Sequence, residues 1–305
     1  MRVAVLKGGR SLERQVSLNS AARVEDALER LGHDVVAIDV DPDLVARLRD
    51  VRPDVAFVAL HGEDGEDGSV QELLELLGLP YTGSRPGACA RSWDKVLAKD
   101  VLRDAGVPTP EYCAFNQSAF RDLGAAAALP EIEGRLGFPI VVKPARGGSS
   151  LGIKFARAEP DVPGALVAAF AYDSRVLLER FVEGRELAVS LIDGEPLPVI
   201  EAVPPAGGTY DFEARYEIGR TEFVCPAPLS ESVAARAQEL AVATWSALGC
   251  AGFARVDLML DSESALYVLE ANTIPGLTDT SLLPQAADAG GIGFDDFVAR
   301  VLALA

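Results

Sequence analysis

GCAGFARVDLMLDSESALYVLEANTIPGLTDTSLL, residues 249–283, holds two short apolar runs, 254–260 and 266–269, with Asp261-Ser262-Glu263-Ser264 between them. Apolar runs of strand length bounded by turn formers predict a β-hairpin. Arg255 and Asp257 lie on its first strand, and Glu270 and Asn272 stand where the second ends. Each pair is two residues apart, and a period of two puts both members on one face. That face carries a cation, two carboxylates and an amide. Burying such charges is costly unless they are paired or bind a metal. Oxygen-only ligands suit a hard cation such as Mg²⁺, which takes one or two carboxylates together with substrate phosphates. The hairpin is therefore expected to be a Mg²⁺–nucleotide platform.

The 305 residues suffice for two or three domains. A formal net charge of −18 argues against nucleic acid as a partner. It also makes the few lysines informative: Lys7, Lys95, Lys99, Lys143 and Lys154 are all there are. Cys89, Cys113, Cys225 and Cys250 form neither a CxxC pair nor a His/Cys cluster. Zinc and disulfides are not expected, and free thiols in a reducing cytoplasm are. The chain runs into a strand-like segment at Val3, which leaves no room for a signal peptide. No apolar run approaches the length of a membrane span, so no membrane association is expected.

Upstream of the hairpin, residues 1–92 alternate strand and helix signals. Strands are expected at 3–6, 35–38 and 55–60, with helical spacing at Val24, Leu28 and Leu31 and again over 71–77. This βαβαβα pattern predicts a parallel sheet covered by helices, with ligands beyond the carboxyl ends of its strands. Two stretches sit at those ends, KGGRSLERQVS at 7–17 and HGEDGEDG at 61–68. The first lacks the G-x-G-x-x-G dinucleotide fingerprint. Glu13 reads equally well as a first-turn helix acid, and His61 taken alone reads as a structural histidine. The run of glycines and acids after His61 reads better as a loop shaped for close approach.

Residues 93–182 differ in character. A helix is expected over 93–106, carrying Lys95 and Lys99. A strand over 138–144 ends in Lys143-Pro144, the loop ARGGSSLG follows at 145–152, and a strand resumes at 153–155. A strand–loop–strand unit rich in glycine and serine can cover phosphates with backbone N–H groups and hydroxyls, as the glycine-rich loop of protein kinases does. It is not a Walker A loop, because G-x-x-x-x-G-K-[ST] is absent. Lys143, Arg146 and Lys154 around it favour phosphate binding over an ordinary hairpin turn. The strand 176–181 carries Glu179 and is followed by Glu186, in a place suited to adenine binding though not specific for it.

Residues 183–305 begin with a hairpin around Asp193-Gly194. A polar loop with aromatics follows over 207–216 and is of lid type. An amphipathic helix at 232–248 leads into the opening hairpin, and a last helix starts near Phe294.

Taken in order, these pieces match one family. ERQVS at 13–17, HG at 61–62 with GEDG at 65–68, KP at 143–144 with GSSLG at 148–152, and RVD at 255–257 with LEANT at 269–273 resemble the D-alanine–D-alanine ligases of the ATP-grasp superfamily, over essentially the whole chain. The resemblance implies a mixed α/β (α+β) fold of three-domain ATP-grasp architecture. Its parts are an N-terminal parallel-sheet domain (1–92), a central small nucleotide-binding subdomain (93–182) and a C-terminal antiparallel-sheet domain (183–305). It further implies an ATP- and Mg²⁺-dependent ligase, with Mn²⁺ as a substitute metal, a monovalent cation left open, D-alanine and ATP as substrates, and a homodimer.

By the same resemblance, Asp257, Glu270 and Asn272 hold the metal, and Lys95 and Lys143 the nucleotide phosphates. Glu179 and Glu186 contact adenine and ribose. Arg255, with the backbone N–H of Gly276, holds the developing oxyanion and is aimed away from the metal toward the acyl carbon. Glu13 binds the first substrate's ammonium and supports Ser149, which acts with Tyr216 in deprotonating the incoming amine. His61 lies near the first substrate, and Ser281 with Leu282 receives the second substrate's carboxylate. This sequence departs from the family at Arg215, where lysine is frequent before the lid tyrosine, and at Trp93, where methionine occurs. The tyrosine favours an amine over a hydroxy acid as second substrate. The competing readings are an ATP-grasp ligase with another second substrate such as D-serine, and a non-catalytic nucleotide-binding module. The full Asp257/Glu270/Asn272 set with Arg255 argues against the latter.

Overall fold

The structure, a computed structural model, describes residues 1–203 and 222–305. The lid-type loop expected at 207–216, with Arg215 and Tyr216, lies outside the described residues.

Three sheets follow one another along the chain. The first contains β1 (Arg2–Lys7), β2 (Asp34–Asp39) and β3 (Val55–Val58), all parallel, in the order β2-β1-β3. Val3 to Leu6 and all of β3 are buried, as strands covered on both faces must be. The helix Arg14–Arg30 packs on β1 and β2. The second sheet is antiparallel, with β4 (Tyr112–Asn116), β5 (Ile140–Pro144), β6 (Lys154–Ala156) and β7 (Arg175–Arg180) in the order β4-β7-β5-β6. The third is also antiparallel. Its main path, β11-β10-β8-β12-β13, joins β8 (Gly184–Ile192), β10 (Ile200–Val203), β11 (Glu222–Val224), β12 (Phe253–Asp261) and β13 (Leu266–Asn272), and β9 (Glu195–Pro196) pairs with β8.

The opening hairpin is β12–β13, and its strands run further than the apolar runs alone suggest. In its register Arg255 faces Asn272 and Asp257 faces Glu270. Just past that pair the register shifts, so that Leu258 faces Val268 and Leu269 is the extra residue of a bulge. Bulges re-aim side chains, and here Leu269 and Glu270 both reach the same cleft.

The helix expected over 93–106 is Lys95–Asp104, and a helix that was not expected, Pro86–Trp93, precedes it. Asp94 separates them. Its backbone is extended and its side chain accepts from the N–H groups of Val96 and Leu97, an N-cap that restarts the helix with Lys95 at its first position. Strand β4 carries no alternation that a sequence pattern would reveal and was not expected.

Apolar packing crosses the expected unit boundaries. Ala98 and Leu102 of the Lys95 helix share a core with Leu187, Val256 and the helix Glu231–Leu248. Phe297, Val298 and Leu302 of the helix Phe294–Ala303 share one with Val3, Val24 and Leu28. The second sheet keeps its own core around Ile140, Val142, Leu166 and Leu178.

Candidate active site

A cleft of about 570 Å³ opens between the second and third sheets. Lys143, Phe155, Glu179 and Phe181 line it from one side, and Glu186, Asp257, Met259 and Glu270 from the other. Apolar walls with a few converging charges are what a nucleotide slot requires.

At its inner end lies a chain of charges. Lys143 on β5 donates to Glu179 Oε1 on the neighbouring β7 at 2.9 Å. Lys99, fully buried, pairs with Glu179 Oε2 and lies over the Tyr112 ring at 5.5 Å. Burial opposes the charge on Lys143, but Glu179, Glu270 and Glu186 outweigh it and its pKa is raised. For Lys99 burial wins over the attraction of Glu179, and Lys143 adds repulsion, so its pKa falls to about 8. Burial alone would raise the Glu179 pKa, yet Lys143 and Lys99 hold it below the usual carboxylate value. The result is one carboxylate held between two ammonium groups, in a cleft that Glu186, Asp257 and Glu270 also line.

Lys95 completes the cationic side. Its ammonium lies 3.4 Å from Glu270 and donates to the carbonyl of Gly147. It thus connects the β12–β13 hairpin to the glycine/serine loop. In that loop Ser149 (φ 52°) and Ser150 (φ 58°) occupy the left-handed region, at a cost of about 1 kcal/mol or more each. The conformation turns Ser149 inward, where its hydroxyl donates to Glu13 Oε1. Ser149 and Glu13 are both buried, and the loop and the N-terminal unit meet there.

Arg255 differs from its expected orientation. Its Nε and Nη2 donate to the two oxygens of Asp257 at 2.6 and 2.8 Å. Both residues are buried on one strand face, and a bidentate pair is the least costly arrangement for two opposite charges so placed. It is therefore not aimed away from Asp257. Asn272 Oδ1 accepts from the N–H of Ile274 at 2.9 Å, which fixes the amide where β13 ends.

His61 is buried, and both its ring nitrogens have protein partners, the carbonyl of Ile274 at 2.9 Å and the Ser20 hydroxyl at 3.0 Å. Ser281 Oγ accepts from the N–H of Thr278 at 3.1 Å and precedes the helix Leu282–Ala289. Leu282 has its side chain in the core, so it can offer a ligand only its backbone N–H, in the first turn of that helix. Gly276 is so close to Ser281 that a Cβ there would lie 2.6 Å from the serine oxygen. Tyr216 lies outside the described residues.

Lys99, Asp94 and Ser20 have structural roles here that the sequence pattern did not assign. Lys99 could have been found by its spacing of four from Lys95 on one helix face.

The donor set fits Mg²⁺. Among the described residues no group of three or more His, Cys, Asp or Glu could hold a metal ion. Two carboxylates and an amide suffice where phosphates complete the shell. The two carboxylates already face each other across the strand pair, each beside a cation.

Comparison with known proteins places the chain in a family. The family model described as D-ala D-ala ligase C-terminus matches residues 101–303, and that described as D-ala D-ala ligase N-terminus matches residues 46–84. The D-alanine–D-alanine ligase of Syntrophotalea carbinolica is 45% identical over 302 residues, covering 99% of this chain and 95% of the relative. That of Moorella thermoacetica is 42% identical over 308 residues, covering 100% and 99%. Among solved structures, the ATP complex of the Bacillus anthracis D-alanine–D-alanine ligase superposes with a TM-score of 0.85 at 33% identity, covering 100% of this chain and 97% of that one. The VanG D-Ala:D-Ser ligase of Enterococcus faecalis superposes with a TM-score of 0.85 at 27% identity, covering 100% and 99%. With the cleft between two antiparallel sheets, the paired carboxylates of its hairpin and relatives matching along its whole length, the chain belongs to the D-alanine–D-alanine ligase family and has the ATP-grasp fold.

Proposed function

We propose that this chain joins two D-alanines at the expense of ATP, through D-alanyl phosphate, and supplies the dipeptide for peptidoglycan. The observation that carries the reading is the facing pair Asp257 and Glu270 beside Lys95 and Lys143, at one end of a cleft between two sheets. Phosphoryl transfer asks mainly for positioning and charge neutralisation, and that end supplies both. Lys143 and Lys95 neutralise the nucleotide phosphates, while Glu179 holds Lys143 in place and, with Glu270 and Glu186, keeps it protonated. Glu186 and the apolar walls hold the nucleoside. Asp257, Glu270 and Asn272 would hold Mg²⁺, which when bound spreads phosphate charge; Mn²⁺ suits the same oxygen donors.

The first D-alanine binds with its ammonium at Glu13. Its carboxylate oxygen attacks the γ-phosphorus of ATP, and ADP leaves with the cleaved oxygen. The amine of the second D-alanine, having given up a proton, attacks the acyl carbon, and inorganic phosphate leaves. Gly276 N–H and Arg255 stabilise the oxyanion formed between those events. Arg255 then exchanges part of its contact with Asp257 for the substrate. Ser281 and the N–H of Leu282 receive the second carboxylate. Ser149, bonded to Glu13, belongs with Tyr216 to the group that removes the proton. The free thiols of all four cysteines support a reducing, cytoplasmic setting, and we include a homodimer in the proposal.

Phosphate release from ATP in the presence of D-alanine, L-alanine, D-serine or D-lactate tests the reading. D-alanine alone should stimulate release and yield dipeptide. No stimulation by D-alanine overturns the ligase reading, and a product only with D-serine present changes the second substrate.

A further inference from the structure

The loop from Ile274 to Asp279 lies outside any strand or helix, so no regular ladder fixes its backbone. Side chains from the N-terminal unit hold it instead. The Ile274 carbonyl can only accept, so His61 Nδ1 carries the proton shared with it at 2.9 Å. His61 Nε2 then accepts from the Ser20 hydroxyl at 3.0 Å. Ser20 Oγ in turn accepts from the N–H of Leu277 at 3.1 Å. Arg23 Nη1 donates to the Leu277 carbonyl at 2.7 Å, and its Nε pairs with Asp279 at 3.0 Å. The Arg23 guanidinium also lies 4.0 Å from the centre of the Phe294 ring, which limits its movement. Ser20 and Arg23 are three apart on the helix Arg14–Arg30 and so share one face. Ser20 is fully buried and His61 nearly so. Bonds to Ile274 on one side and to both backbone groups of Leu277 on the other leave Gly276 little freedom, and Ser281 lies five residues further on, with its oxygen 2.6 Å from where a Gly276 Cβ would be.

We propose that Ser20 and Arg23, acting with His61, are positioning residues through which the N-terminal helix sets the Gly276–Ser281 segment and with it the site for the second amino-acid substrate. The proposal rests on the ligase reading. Neither Ser20 nor Arg23 borders the nucleotide cleft, so their loss should leave the nucleotide site intact. Removing the Ser20 hydroxyl strips a partner from both His61 and the Leu277 N–H. The loop then shifts, and a displacement near 1 Å at a reacting group can lower a rate by on the order of 100-fold.

The experiment measures KM for ATP, KM for the second D-alanine and kcat in the full-length wild type, Ser20→Ala, Arg23→Met and Arg23→Lys, with thermal melts alongside. Wild type must make dipeptide from D-alanine; if it does not, the ligase reading falls and takes this proposal with it. Given activity, Ser20→Ala and Arg23→Met should each lower kcat/KM for the second D-alanine by roughly 10- to 100-fold, with KM for ATP within about 2-fold. Arg23→Lys keeps a cation that can reach the Leu277 carbonyl and should recover most of the loss. Equal losses for ATP and D-alanine, no loss at all, or no recovery with lysine would each overturn the clamp. Should Ser20→Ala fail to fold, the half-buried Arg23 pair decides the matter alone.

Discussion

Asp257 stands directly across the strand pair from Glu270, and each carboxylate has its own cation, Arg255 for Asp257 and Lys95 for Glu270. The site therefore holds its charges in place before any ligand arrives. Glu270→Gln keeps the shape and removes one charge. Turnover should fall by on the order of 100-fold or more, while the melting temperature stays within a few degrees. An unchanged rate, measured as D-alanine-dependent phosphate release, would remove Glu270 from the metal site.

Lys99 gives a pH signature with a defined sign. Its folded pKa of about 8 lies below the ordinary lysine value of 10.5. Between those values the unfolded chain holds a proton that the folded chain has released, so this group makes stability rise with pH. The slope is at most about 1.4 kcal/mol per pH unit. Lys99→Met should remove that rise. Urea midpoints across the window, in both proteins, measure it, and parallel curves would show that Lys99 does not titrate there.

Asp94→Ala removes the cap that separates two helices and starts the second at Lys95. The expected cost is about 1 kcal/mol in urea unfolding, together with a higher KM for ATP as Lys95 loses its fixed origin. Serine at 94 should restore most of the stability. If alanine and serine behave alike, the capping account is wrong.

Gly184 opens β8 and pairs with Asp261 of β12. A Cβ at this residue would lie 2.0 Å from the Leu260 carbonyl oxygen, which is backbone and cannot rotate away. Gly184→Ala should therefore destabilise by about 1–3 kcal/mol, read as a lower melting temperature. A melt indistinguishable from wild type would mean that the strand pair yields more easily than the spacing implies.

Cys89 and Cys250 are buried, and burial raises their thiol pKa values to about 12 and about 11. Cys113 and Cys225 are only partly buried. A chromogenic disulfide reagent should thus find no more than two fast thiols in the native protein and four in urea. Four fast thiols under native conditions would contradict the packing around Cys89 and Cys250.

Much of this arrangement is legible in the residues themselves. Alternation placed Arg255 with Asp257 and Glu270 with Asn272, because strand geometry admits only one facing for residues two apart. The first sheet is legible from apolar runs and turn formers, and the antiparallel C-terminal sheet only through the family resemblance. Other features needed the fold. The bulge at Leu269 depends on how two strands pair, which neither strand states alone. Glu179 reads as a plain strand-end acid until Lys99 and Lys143 are brought to it from elsewhere in the chain. Arg255 is expected to aim away from the metal toward the acyl carbon, and the structure has it donating to both oxygens of Asp257. The helix Pro86–Trp93 is hidden because Asp94 alone separates it from the helix that follows.

One packing feature bears on how the molecule is made. The core under β1 includes Leu283, Ala286, Phe297, Val298 and Leu302, and Arg30 pairs with Asp295 at 2.6 Å. During vectorial synthesis the first sheet and its helix leave the ribosome long before these partners exist. A nascent chain therefore shows an unfinished apolar face until residues 282–302 arrive. Completion of the N-terminal unit is thus among the last events of folding, and a nascent chain stalled before those residues should be an early substrate for holdase chaperones.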